Sequence, residues 1–222
     1  VKAQDNLEMV EFADNPEPRC PCILLLDNSG SMAGDKINAL NAGLASLETA
    51  LRKDHLAARR VEIAIVTFGD KVETLQDFAT VDNLKMPTLS TNGQTPMGQA
   101  INHALDMLAK RKLVYKQNAI TYYRPWIFMI TDGDPTDPES VITSVSQRIR
   151  AEENGKHVSF FAVGVDGANI DRLKNISTRA PLMLNNLSFN ELFVWLSASL
   201  TSVAKSEVGD MVALPAAGWG AA

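Results

Sequence analysis

Cysteine is nearly absent from this 222-residue chain, which has only Cys20 and Cys22. A single residue between them is poor geometry for an unstrained disulfide, and such sparing use fits a reducing compartment. No apolar run approaches the about 18 residues that span a bilayer. The first residues, Val1 to Asn6, are polar and hold no apolar leader core. These absences together give the expectation of a cytoplasmic protein without a membrane span. Charge of one sign is also scarce. The net charge is −5, so no broad basic face for nucleic acid is expected. No Gly-x-x-x-x-Gly-Lys-Ser/Thr loop occurs, which excludes nucleotide hydrolysis by that route. Histidine is limited to His55, His103 and His157, all far apart, so Cys20 and Cys22 have no obvious partners for a zinc site. They read as small semi-buried thiols.

What is present is a hydrophobic fraction of 45%, enough for a substantial core. Apolar runs alternate with helical patterns, as in repeated strand–helix–strand units. Ile23 to Leu26, Val61 to Phe68, Trp126 to Ile130 and Val158 to Val165 read as buried strands. Gly69-Asp70 turns the chain into Lys71 to Leu75, which predicts one antiparallel edge strand. Pro181 to Leu184 is a weak last strand. Helices are predicted around Ile37 to Leu51, Met97 to Leu108, Val141 to Ile149, Asn169 to Ile176 and Leu192 to Val203. The predicted fold is a doubly wound, mostly parallel α/β sheet with helices on both faces. It spans residues 1–205, and 206–222 form an apolar Gly-, Ala- and Pro-rich tail.

In such a sheet the ligand site lies outside the carboxyl ends of the strands, where strand order reverses. Two polar clusters obey that rule. Asp27-Asn28-Ser29-Gly30-Ser31 leaves the first strand and offers one carboxylate and two hydroxyls at alternate positions. Thr131-Asp132-Gly133 leaves the fourth. A third donor, Thr95 in Gly93-Gln94-Thr95-Pro96-Met97-Gly98, stands just before a helix. Oxygen-only donors suit a hard divalent cation, Mg²⁺ first, with Mn²⁺ or Ca²⁺ as alternatives.

Asp27, Ser29, Ser31, Thr95 and Asp132 together resemble the metal-ion-dependent adhesion site of von Willebrand factor type A and integrin inserted domains. The resemblance implies that the Ser and Thr hydroxyls touch the ion. Asp27 and Asp132 act behind them, through water or as acceptors, and one position stays open for an acidic group of a protein partner. Ion removal should leave the fold intact, with Asp27 and Asp132 facing each other without a counter-charge. Longer stretches are similar to bacterial tellurium-resistance Y-type proteins: Ile23 to Met32, Gln94 to Gly98, Tyr122 to Trp126, Phe160 to Val165 and Phe189 to Ser197. That similarity implies a cytoplasmic scaffold or adaptor in a tellurite or stress response. Its partner would present an Asp, Glu or phosphorylated group, and a protein kinase or PP2C-type phosphatase of the same operon would accompany it. Asn28 stands where Thr or Ser is commoner in these proteins, and its side chain is expected to point away from the ion.

Enzymatic readings are weaker. A haloacid-dehalogenase-type phosphatase needs a second carboxylate two residues after Asp27, where Ser29 stands. Asp132-Gly133-Asp134 resembles a Toprim metal pair, but no Glu closes the earlier strand. A metal-dependent hydrolase and a domain with a purely structural metal remain the alternatives to a binding module. Asp134 and Asp137 read as turn residues or as tuning groups behind the ion. Lys112 to Arg124 reads as a long loop whose Tyr115, Tyr122 and Tyr123, with Arg124, suit interface anchoring, whereas Trp126 reads as core.

Overall fold

The apolar runs lie side by side as strands. A computed structural model describes residues 11–221; Val1 to Asn6 and Ala222 lie outside the described residues. Chain order is β1 (Cys20–Asp27), α1 (Asp35–Arg52), α2 (His55–Arg60), β2 (Val61–Phe68), β3 (Val72–Thr80), α3 (Met97–Gln117), β4 (Trp126–Thr131), α4 (Glu139–Asn154), β5 (Ser159–Gly164), α5 (Ile170–Ile176), β6 (Leu182–Leu184), α6 (Phe189–Lys205) and β7 (Gly220–Ala221). The sheet runs β3-β2-β1-β4-β5-β6-β7. β1 pairs in parallel with both β2 and β4, and β4, β5 and β6 continue in parallel. β3 is the predicted antiparallel edge. A second antiparallel edge, β7, was not predicted; it comes from the tail and pairs with β6.

Every residue of β1 and β2 is buried, because both faces of the sheet are covered. Strand alternation sends Cys20, Cys22, Leu24 and Leu26 to the face under α1 and α6. Ile23 and Leu25 face α3, α4 and α5. Both thiols are fully buried and free, and burial pushes the Cys20 thiol up to about 12. The tail packs on its own domain. Trp195 Nε1 donates to the Pro215 carbonyl at 2.8 Å, and Trp219 stacks edge-on to Trp195 at 5.5 Å.

The predicted loop at 112–124 is largely something else. α3 continues to Gln117, and Tyr115 and Tyr123 are buried. Tyr115 donates to Glu62, which also accepts from Arg19 at 2.9 Å and from Arg111 at 2.9 and 3.0 Å. This buried charge cluster sits at the amino-terminal end of β2, away from the strand ends that carry the polar motifs. Tyr122 leans on Tyr115 with ring centroids 5.3 Å apart. The tyrosines of this segment are therefore framework, not exposed anchors. His157 precedes β5 and is exposed.

Candidate metal centre

The strand order reverses between β1 and β4: the chain runs outward from β1 to β3 on one side and from β4 to β7 on the other. Asp27 ends β1 and Thr131 ends β4. Thr131 Oγ1 donates to Asp27 Oδ2 at 2.5 Å, and the Ser29 N–H donates to Asp27 Oδ1 at 2.8 Å. Burial nonetheless holds the Asp27 carboxyl above its ordinary value, outweighing these bonds, and the repulsion of Asp132 adds a smaller push in the same direction.

The other candidate residues converge beside it. Ser29 Oγ and Ser31 Oγ lie 3.0 Å apart. Ser31 Oγ donates to Asp132 Oδ1 at 2.6 Å. Thr95 arrives from a separate loop, and Gly133 shows where it points. A Cβ at Gly133 would lie 3.5 Å from Thr95 Oγ1 and 3.8 Å from Ser31 Oγ. All five sequence-predicted residues thus gather at the switch in strand order, at the carboxyl ends of β1 and β4. Ser29, Thr95, Asp27 and Asp132 are buried, while Ser31 is exposed at the mouth.

Backbone ties hold the three loops together. The Gly30 N–H donates to the Gly93 carbonyl, and the Asn92 N–H to the Asn28 carbonyl. Asn28 Nδ2 donates to the Ser90 carbonyl, so its side chain is turned to the neighbouring loop. Gly93 has φ 72°, and a Cβ there would fall 2.3 Å from Asp70 Cα, so no side chain fits at this position.

Three features were not predicted. Asp137 accepts from the Gly98 and Gln99 N–H groups at 2.9 and 3.2 Å. It caps α3, whose own preceding residue, Pro96, has no capping side chain, and so fixes the helix that follows Thr95. Thr136 pins the same turn, exchanging bonds with the Thr95 backbone. Lys36 Nζ lies 2.6 Å from Asp132 Oδ2. The expectation that Asp27 and Asp132 face each other without a counter-charge is therefore wrong: the first turn of α1 supplies one. Asp134 is exposed and takes no part.

The donor set fits a hard cation. Three hydroxyl oxygens meet around one point, with two buried carboxylates behind them, and no nitrogen or sulfur donor is present. Among the described residues there is no cluster of three or more His, Cys, Asp or Glu side chains, so a zinc-finger type of centre is absent.

The von Willebrand factor type A domain profile matches residues 22–194. The chain belongs to that family. It is 27% identical over 184 residues to the mouse collagen alpha-4(VI) chain, covering 79% of this chain but only 7% of the collagen. It spans less than a tenth of the curated relatives it matches. Among solved structures it resembles a paralog of the archaeal protein ArnB, named VWA2, from Sulfolobus acidocaldarius (TM-score 0.56, 20% identity, 82% of this chain and 45% of that one). It also resembles proximal thread matrix protein 1 of the mussel byssus, solved with a zinc-occupied MIDAS motif (TM-score 0.57, 16% identity, 83% of this chain and 48% of that one). At these identities the structures speak for the fold alone. No helix among the described residues is long and apolar enough to cross a membrane.

Proposed function

We propose that this domain grips an acidic group of a protein partner through a divalent ion, Mg²⁺ first, held at Asp27, Ser29, Ser31, Thr95 and Asp132. The observation that carries the reading is the convergence of Ser29, Ser31 and Thr95 hydroxyls on one point beside two buried carboxylates. Ser29, Ser31 and Thr95 are the direct ligands, and Asp27 and Asp132 orient them. When bound, the ion supplies an electrophilic position for an anionic oxygen. Neutral hydroxyl ligands leave it most of its charge, so an Asp, Glu or phosphorylated side chain suits the open position. The carboxylate beside the Ser31 hydroxyl, Asp132, already holds the Lys36 ammonium and is thereby a weakened base, which favours binding over hydrolysis.

The proposed setting is a cytoplasmic scaffold or adaptor in a bacterial tellurite or stress response, with a kinase or PP2C-type phosphatase as partner. It rests on the resemblance of the segments quoted above to tellurium-resistance Y-type proteins. Capture from the native cell in Mg²⁺ and again in EDTA tests the reading. The partner is expected to bind in Mg²⁺ only. Thr95→Ala should weaken binding by removing a ligand, and Ser29→Asp by neutralising part of the ion's charge. Partner binding that survives EDTA and both substitutions would show that the ion is not the grip.

A further inference from the structure

Lys36 is the second residue of α1, and its ammonium sits 2.6 Å from Asp132 Oδ2. Helix physics alone does not explain a lysine there. The first turn carries the positive end of the helix dipole and favours acidic side chains, as Asp35 illustrates. Nor does Lys36 extend freely into water. Its side chain is 23% exposed, and that of Asp132 is 0% exposed. The other oxygen of Asp132 accepts from Ser31. Both oxygens of this carboxylate are engaged, one by a hydroxyl of a proposed ligand and the other by a cation built into the chain. Gly167 borders the pair: a Cβ there would lie 3.5 Å from the Asp132 carbonyl oxygen and 3.7 Å from Lys36 Nζ.

We infer that Lys36 sets the concentration of divalent ion at which the site fills. The inference rests on the metal reading above. An ammonium and a divalent ion drawn to the same buried carboxylate repel each other, and the low local dielectric magnifies that repulsion. Asp27 and Asp132 bring two negative charges to the site, and Lys36 already matches one of them. The ion is held more weakly than two free carboxylates would hold it. For the same reason it keeps more of its pull on an acidic group arriving from outside. Lys36 is thus a tuning residue of the grip, acting through Asp132 rather than as a ligand.

Calorimetric titration with Mn²⁺ tests this on the wild-type chain, Lys36→Met and Lys36→Arg, with thermal unfolding in EDTA beside it. Lys36→Met should bind Mn²⁺ about tenfold more tightly, within the range of 5–150-fold that couplings of this kind span. Lys36→Arg keeps the charge and should stay near the wild type. In EDTA, Lys36→Met should melt below the wild type, because Asp132 has lost its buried counter-charge, and Mn²⁺ should raise its melting temperature by the larger amount. A residue that merely props up Asp132 predicts the opposite change in affinity. Equal or weaker Mn²⁺ binding by Lys36→Met therefore overturns the inference while leaving the metal reading in place. No Mn²⁺ binding by any of the three proteins overturns both.

Discussion

Thr131 and Asp27 terminate the two strands between which the sheet reverses, and their side chains are joined by a 2.5 Å hydrogen bond. Asp27 is fully buried, so the Thr131 hydroxyl is one of few groups that can satisfy its carboxylate. Thr131→Val keeps the shape and removes the donor. It should lower stability by about 1.5–3 kcal/mol, the range for hydrogen bonds to charged groups. In a domain of this size that is a fall of about 2–4 °C in melting temperature for each kcal/mol. Mn²⁺ affinity should fall as well, because Asp27 also holds the Ser29 turn. An unchanged melting curve would show that the bond is dispensable.

Asp137 and Asp134 share a loop but differ in what they touch. Asp137 caps α3, and Asp134 is exposed. Asp137→Ala should lower stability by about 1 kcal/mol, as for the loss of a helix cap. It should also weaken Mn²⁺ binding, since the capped turn carries Thr95. Asp134→Ala should change stability by no more than about 0.5 kcal/mol and leave the affinity alone. Equal effects of the two substitutions on Mn²⁺ binding would argue against Asp137 acting through α3.

Glu62 offers a control at the other end of the strands. Its carboxylate is fully buried between Arg19, Arg111 and Tyr115. Removing one partner of a buried ion pair typically lowers stability by roughly 3–5 kcal/mol, because the remaining charges are stranded. Glu62→Gln should therefore melt much lower than wild type, while the folded protein binds Mn²⁺ with unchanged affinity. A loss of metal binding in the folded Glu62→Gln protein would mean that the two ends of the sheet are coupled.

Stability should also depend on pH through Asp54. This residue caps α2, accepting from the Leu56 and Ala57 N–H groups, and pairs with Lys205 Nζ at 2.5 Å. The Ala57 N–H first, then Lys205, hold its carboxyl below the ordinary value of 3.8. A depressed folded pKa contributes stability that is complete above the unfolded value and disappears as the pH falls through the folded one. Asp54→Ala should thus cost about 1 kcal/mol at neutral pH, and the gap from wild type should close as the pH drops below 3.8. Urea unfolding at a series of pH values reads this directly; a gap that stays constant would contradict it.

The sequence made the strands at Ile23 to Leu26 and Trp126 to Ile130 legible because a strand buried on both faces is a continuous apolar run. The five candidate site residues were legible because each sits in a short turn-forming segment after a strand or before a helix. The far end of α3 was not. Its buried positions there are Arg111 and Tyr115, which keep helical spacing but break an apolar stripe. Glu62 was hidden in the same way, a carboxylate inside a run that otherwise reads as a hydrophobic strand. Lys36 had no local signature at all, since its partner Asp132 is 96 residues away in sequence. β7 escaped because Gly220-Ala221 is too short to carry a pattern.

The position of α6 along the chain has a consequence for synthesis. Every strand except β7 precedes α6, yet α6 supplies Phe193, Trp195, Leu196 and Leu200 to the core beneath Leu24, Leu26 and Phe128. Emerging vectorially from the ribosome, the nascent chain presents six strands and α1 before it presents the helix that completes the cover of their shared face. During that interval the part of the face that α6 covers, Phe128 among it, is open to water. Such a surface is the kind that aggregates unless a chaperone shields it, so the yield of folded protein in a cell should depend on how quickly translation passes from β6 to the end of α6.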